Sequence, residues 1–134
     1  MLAIDYGRRR LGLAVSDALG MASHPLPALQ RQGQAADLAA LRAVIESRDV
    51  RRLVVGLPLN MNGSEGSMAG EARAFGDWLA GATGLPLLYE DERLSTDEAE
   101  EFLRAAGLRP SDRKRLRDSV AAAVILRSVL EREA

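Results

Sequence analysis

Three acidic residues stand at positions where a fold could use them. Asp5 ends the apolar run Leu2-Ala3-Ile4, Glu92 or its neighbour Asp91 ends a later apolar run, and Asp118 opens the last helix-like segment. Each has a plain structural reading. Asp5 could make an Asp-x-Gly turn after a strand. Glu92 could be a surface acid paired with Arg93, and Asp118 a helix N-cap. Together they imply more, because strands that run parallel in an open α/β sheet present their carboxyl ends to the functional crevice. Carboxylates gathered there repel one another, and one must take up a proton unless a counter-charge intervenes. Mg²⁺ and Mn²⁺ favour oxygen ligands and supply that charge. Two such ions about 4 Å apart can clamp the attacking and leaving oxygens of a phosphodiester. The chemistry these residue types suit is hydrolysis by an in-line water, with no side chain needed as general base.

Other metal chemistries are poorly served. The chain has no cysteine and one histidine, His24, which precedes a proline and reads as an edge or surface residue. The positive charge is almost all arginine, Lys114 being the only lysine. Arginine suits bidentate contact with phosphate. Arg8, Arg9 and Arg10 follow Asp5 and could grip the backbone flanking a scissile phosphate. Arg93 could orient a carboxylate or the phosphate. Arg113, Lys114, Arg115 and Arg117 precede Asp118 and could hold a second stretch of strand. In the loop LPLNMNGSEGSMAG, Asn60 and Asn62 add neutral donors, and glycines let backbone N–H groups approach an anion. The loop lacks G-x-x-x-x-G-K-[ST] and is no P-loop.

Net charge is −1, so the whole molecule is no polycation. The charge is segregated: EDERLSTDEAEE at 90–101 is acidic and RPSDRKRLR at 109–117 basic. Either run could be only a solvated face. Aromatic residues make up 4% of the chain, which argues against a base-stacking platform, and Trp78 reads as helix core.

The elements that must position these residues follow from periodicity. Residues 2–6 and 11–16 read as strands joined by a tight turn at Gly7–Arg10. In the second, Leu11, Leu13 and Val15 alternate with Gly12, Ala14 and Ser16, so one face is crowded and small. Residues 21–30 suit an edge strand, because Pro25 and Pro27 exclude a central one. Residues 34–48 form an amphipathic helix with Leu38, Leu41 and Ile45 on one stripe. Residues 50–56 contain Leu53-Val54-Val55, typical of a central parallel strand. A helix to about residue 80 turns Met68, Ala72, Phe75 and Leu79 inward, and residues 86–91 form another strand. Ser95-Thr96-Asp97-Glu98 has the form of a capping box, and Gly107 and Pro110 end that helix. The last helix spans about 118–131, with Ala121, Ala122 and Ala123 permitting close approach to a sheet. The expectation is an α/β domain over 1–134, a mixed sheet with helices on both faces.

IDYGRRRLGLAVSD, VVGLPLNMNGSEG, YEDERLSTDEAE and DSVAAAVIL, in that order, resemble the YqgF (RuvX) family across nearly the whole chain. The resemblance implies a ribonuclease H-like fold, a mixed five-stranded sheet flanked by helices. It also implies a metal-dependent nuclease using Mg²⁺ or Mn²⁺, expected as a pair of ions, with Asp5, Glu92 and Asp118 as catalytic metal ligands. The family's usual role is processing the 5′ end of pre-16S rRNA in ribosome biogenesis, and Holliday junction resolution is the older proposal. The chain departs from the related resolvases at Gly56-Leu57-Pro58, where they carry a glutamate. Glu92 on the neighbouring strand stands in its place.

Two other classes compete. An actin- or sugar-kinase-like ATPase also places Asp-x-Gly after its first strand, but closes two such domains on a nucleotide. A non-catalytic nucleic-acid or ribosome-associated binding module would have no use for bare carboxylates that repel phosphate. The partner expected is RNA or branched DNA, with the protein a monomer or a homodimer. A strand beginning at residue 2, no cysteine and no long apolar run fit a cytoplasmic protein without a signal peptide and away from membranes.

Overall fold

The computed structural model describes residues 1–58, 60, 62–92 and 96–133, with backbone alone at Thr96, Asp97, Pro110 and Lys114. Strands β1 (Leu2–Asp5), β2 (Arg10–Ser16) and β3 (Ser23–Gln30) come first. Helix α1 (Gln34–Ser47), strand β4 (Leu53–Pro58), helix α2 (Ser67–Thr83) and strand β5 (Leu87–Glu92) follow. Helices α3 (Thr96–Ala105), α4 (Pro110–Leu116) and α5 (Val120–Glu133) close the chain, with a 3-10 turn at Arg117–Ser119 ahead of α5.

The strands form one mixed sheet in the order β3-β2-β1-β4-β5. β1, β2 and β3 pair antiparallel, whereas β4 runs parallel to both β1 and β5. The parallel trio therefore points three carboxyl ends to one edge. β3 lies outermost, as its two prolines require. His24 sits exposed on it, opposite Val15.

Side-chain alternation divides the core into two layers. Leu2, Ile4, Leu11, Leu13, Val15, Leu53, Val55 and Leu57 pack with Leu41 of α1 and with Ala72, Phe75 and Leu79 of α2. On the opposite face Ala3, Ala14 and Val54 meet Ala122, Ala123, Ile125 and Leu126 of α5, with Phe102 of α3 behind them. The small face of β2 receives the alanines of α5, so this helix lies close to the sheet centre. No helix of the described residues is long and apolar enough to cross a membrane.

The element boundaries shift in informative places. β4 begins at Leu53 rather than residue 50 and continues through Pro58. The proline is tolerated at the strand's last position. α3 ends at Ala105, and Gly107 takes a left-handed φ of 64°. Pro110 then opens a short helix at 110–116 that the sequence reading did not separate from the turn. The proposed cap Ser95 lies outside the described residues.

Candidate active site at the carboxyl edge

β1 turns Leu2 and Ile4 to one layer and Ala3 and Asp5 to the other, the α5 side. Asp5 is the register partner of Gly12 on β2. β5 turns Leu88 to the same side, and by alternation Glu90 and Glu92 with it. Asp91 is exposed and belongs to the other face. Glu92, not Asp91, thus reaches toward Asp5 across β4, and the two carboxyl groups lie close enough to shift each other's protonation.

Two glycines make this meeting possible. At Gly56, between the two acids on β4, a Cβ would stand 2.5 Å from Ile125 Cδ1 and 2.9 Å from Glu92 Oε2. At Gly12 a Cβ would collide with the carbonyl oxygen of Asp118 and lie 3.3 Å from Asp5 Cβ. The floor of the site is therefore space that any side chain would fill. Gly7 is similarly tied to the turn, since a Cβ there would collide with the Arg10 carbonyl.

Two carboxyl groups in contact cannot both stay ionised cheaply. Burial is the main cause that pushes Glu92 up, to about 8, with the charge of Asp5 and their hydrogen bond adding to it. Asp5 is also raised, first by burial and further by the charge of Asp118, while the hydrogen bond from Glu92 lowers it. Near neutral pH the pair is therefore poised to hold one proton between its two carboxyl groups. A hard cation would do the same service with greater charge. The oxygen donors and the side-chain-free floor fit such an ion.

Asp118 stands apart from this pair. The 3-10 turn brings it within electrostatic reach of Asp5, but its Oδ2 accepts from Arg10 Nη1 at 3.1 Å. Among the described residues no three acids are drawn together closely enough to hold a metal. The turn itself is pinned by Ser119, whose fully buried Oγ accepts the Leu13 N–H at 3.0 Å beside an irregularity in the β2–β3 pairing. An open cavity of 430 Å³ runs over Asp5, Gly12 and Asp118 and is walled by Arg8, Arg9 and Arg10.

The bases divide into tied and untied groups. Arg8 makes a bidentate pair with Glu71 of α2, at 3.0 and 2.6 Å, and Tyr6 donates to the same carboxylate at 3.2 Å. Arg113 donates to the Leu108 carbonyl, and Arg115 pairs with Asp112 at 3.5 Å. Arg9 and Arg117 are exposed, with no side-chain hydrogen bond or ion pair to the described residues. Arg93 and the side chain of Lys114 lie outside the described residues. Asn60 and Asn62 are both spent on the loop, Asn60 Nδ2 donating to Ser64 Oγ at 3.1 Å and Asn62 Oδ1 accepting from it at 2.6 Å.

The sequence reading missed Glu71, Ser119 and the half-buried Arg31. Arg31 donates to buried Asp37 and to the Gly7 carbonyl, each at 3.3 Å, and so braces the turn that follows Asp5. No local spacing signals the Glu71, Ser119 and Gly7 contacts, because they join residues far apart in the chain, and the six-residue step from Arg31 to Asp37 matches no helix or strand period.

The sheet order, the helices on both faces and the paired acids at the carboxyl edge define a ribonuclease H-like protein. Solved structures of Thermus thermophilus RuvC share the fold. One covers 98% of this chain and 95% of its own at 17% identity and a TM-score of 0.60. Another, in complex with a Holliday junction substrate, covers 98% and 93% at 20% identity with a TM-score of 0.60. At the level of sequence, the family model RuvX, described as Holliday junction resolvase, matches residues 1–132, and the chain belongs to this family. A relative from Anaeromyxobacter dehalogenans (strain 2CP-C) is 47% identical over 133 residues, 99% of this chain and 97% of its own. One from Koribacter versatilis is 43% identical over 132 residues, 98% of this chain and 86% of its own. Both bear the name "Putative pre-16S rRNA nuclease". Family and relatives together support a nuclease, hence a hydrolase.

Proposed function

We propose that this chain is a single metal-dependent nuclease domain that hydrolyses phosphodiester bonds of structured nucleic acid, and that its substrate is the 5′ end of precursor 16S rRNA. The observation that carries the reading is the convergence of Asp5 and Glu92 above the Gly12–Gly56 floor. Asp5 and Glu92 would hold Mg²⁺ or Mn²⁺ directly, and Asp118 would join them on leaving Arg10. A bound ion supplies charge to polarise the phosphate and to acidify the attacking water. Asp5 and Glu92 would give up their shared proton on binding such an ion, and the side-chain-free floor at Gly12 and Gly56 leaves room for it. Arg10, released from Asp118, faces the same cavity and can take a phosphate oxygen instead. An exposed ion pair of this kind is worth at most about 1 kcal/mol, so the exchange costs little.

The relatives' names support the RNA substrate. The family's description supports a second reading, resolution of four-way DNA junctions. A symmetric cut there would need two copies of the chain. Labelled precursor rRNA, single-stranded RNA and a four-way junction, each incubated with Mg²⁺ or Mn²⁺, separate the readings. Cleavage of the precursor that disappears in Asp5→Asn is the expected result. Preferential cutting of the junction would transfer the assignment to DNA. Cleavage that survives Asp5→Asn would remove the proposed site, and binding without cleavage of any substrate would leave a binding module.

A further inference from the structure

The chain has five aromatic residues, and three of them gather at one place. Tyr6 and Phe75 approach to 5.5 Å between ring centroids, and Phe75 and Trp78 to 5.8 Å. Phe75 is buried, whereas Tyr6 and Trp78 are only half-buried. Their exposed parts line a groove of 230 Å³ together with Arg31, Gln34 and Glu71. The groove is not an oily slot. It sets flat rings beside the exposed amide of Gln34, which can meet the edge of a heterocycle, while Glu71 is held by Arg8 and Tyr6 and Arg31 by Asp37 and the Gly7 carbonyl. Arg31 lies 5.2 Å over the Tyr6 ring and 5.5 Å over Phe75, so the platform is held by a stacked cation as well as by packing.

Its position matters as much as its chemistry. Tyr6 directly follows Asp5 and lines both this groove and the cavity over Asp5. The Arg8–Glu71 pair forms the boundary between them, and Arg8 neutralises a carboxylate that would otherwise repel a polyanion. Tyr6 is the residue that groove and cavity share, the groove lying on the α1–α2 side of the sheet and Asp5 on the α5 side, so a strand leaving Asp5 past Arg8 heads toward the groove.

We infer that the groove between Tyr6, Gln34 and Trp78 is a subsite for an unpaired nucleobase one step along the strand from the cleaved bond. The inference rests on the nuclease reading above, and it gives that nuclease a requirement for a base flipped out or single-stranded beside the cut. Stacking sets the affinity and tolerates any base, because every base has a flat face.

Trp78 is the only tryptophan, so its emission reports the groove directly. The test uses the whole chain in EDTA, where no cleavage occurs, so it stands apart from the nuclease assay. The probes are five-residue oligoadenylates, ribo and deoxy, and a five-residue abasic ribose-phosphate. The expected result is quenching of Trp78 emission by the oligoadenylates, with the abasic strand binding about ten-fold more weakly by anisotropy. The two sugars show whether RNA or DNA is preferred. Gln34→Ala, at an exposed position, and Trp78→Leu should each weaken the oligoadenylate while leaving the abasic strand unchanged, and Trp78→Phe should restore most of the loss. Equal affinity for abasic and base-bearing strands would overturn the subsite, as would binding without quenching or no binding at low salt. Cleavage could persist in each of those cases, and quenching could persist in a protein that cuts nothing.

Discussion

Two buried carboxyl groups brought together at a strand edge favour a proton that a cation can replace. Glu92 has an ordinary value of 4.5 when the chain is unfolded and about 8 in the fold. Between those values the folded protein holds a proton that the unfolded chain has released. Stability from this group is therefore full below about 4.5 and is lost as pH rises through 8. Asp5, raised in the same way, adds to the same slope. The metal-free protein should thus melt at a higher temperature at pH 6 than at pH 8. Glu92→Gln, which can still donate to Asp5, should flatten that dependence. Mn²⁺ should raise the melting temperature more at pH 8 than at pH 6, since ion and proton compete for the same oxygens. Thermal melts followed by circular dichroism across this range decide the matter, and an equal pH slope in wild type and Glu92→Gln would refute the shared proton. Asp5 and Glu92 were legible as candidates because strand ends are legible. Their contact was not, because it depends on the sheet order that sets β4 between them. The Arg10–Asp118 pair was still less so, since 108 positions separate its partners.

At the scale of elements, the site depends on how closely α5 and its leading turn approach β2. The alternation of β2 and the alanines of α5 announced that approach, and each follows from a local period. Helix α4 went unread for a physical reason. Pro110 can stop one helix or occupy the first turn of the next, and the sequence alone favours neither. Ser119 is the clearest case of a role invisible in sequence, since a serine after an aspartate looks like ordinary capping. In the fold it satisfies the Leu13 N–H where the strand pairing slips. Ser119→Ala should leave that buried N–H without an acceptor and cost about 1–3 kcal/mol. Urea denaturation should show the loss as a lower midpoint with an unchanged slope. The substitution should also loosen the turn bearing Asp118, so divalent-ion binding should weaken with it. A midpoint within error of wild type would show that the hydroxyl is replaceable there.

For the whole molecule, net charge gives no guide to a polyanion partner; placement does. Acids and bases at the carboxyl edge largely cancel in pairs, Arg8 with Glu71 and Arg10 with Asp118. What remains beside the cavity is Arg9 in the turn after Asp5 and Arg117 next to Asp118, both exposed and without a partner among the described residues. A strand crossing from one to the other would pass over the acids. Each phosphate that such an arginine neutralises releases counter-ions, so affinity falls linearly with salt on logarithmic axes. Arg9→Ala and Arg117→Ala should each reduce that slope by about one, and the double variant by about two. Arg48 and Arg51 supply the comparison, because they line a cavity with Met1 and Asp17 at the opposite end of the strands. Arg48→Ala with Arg51→Ala should leave the slope as it was. The measurement is fluorescence anisotropy of a labelled RNA from 50 to 300 mM salt, about the range over which phosphate contacts dominate. An equal change in both double variants would mean that the polyanion is attracted by the molecule at large, and the path over Asp5 would have to be abandoned.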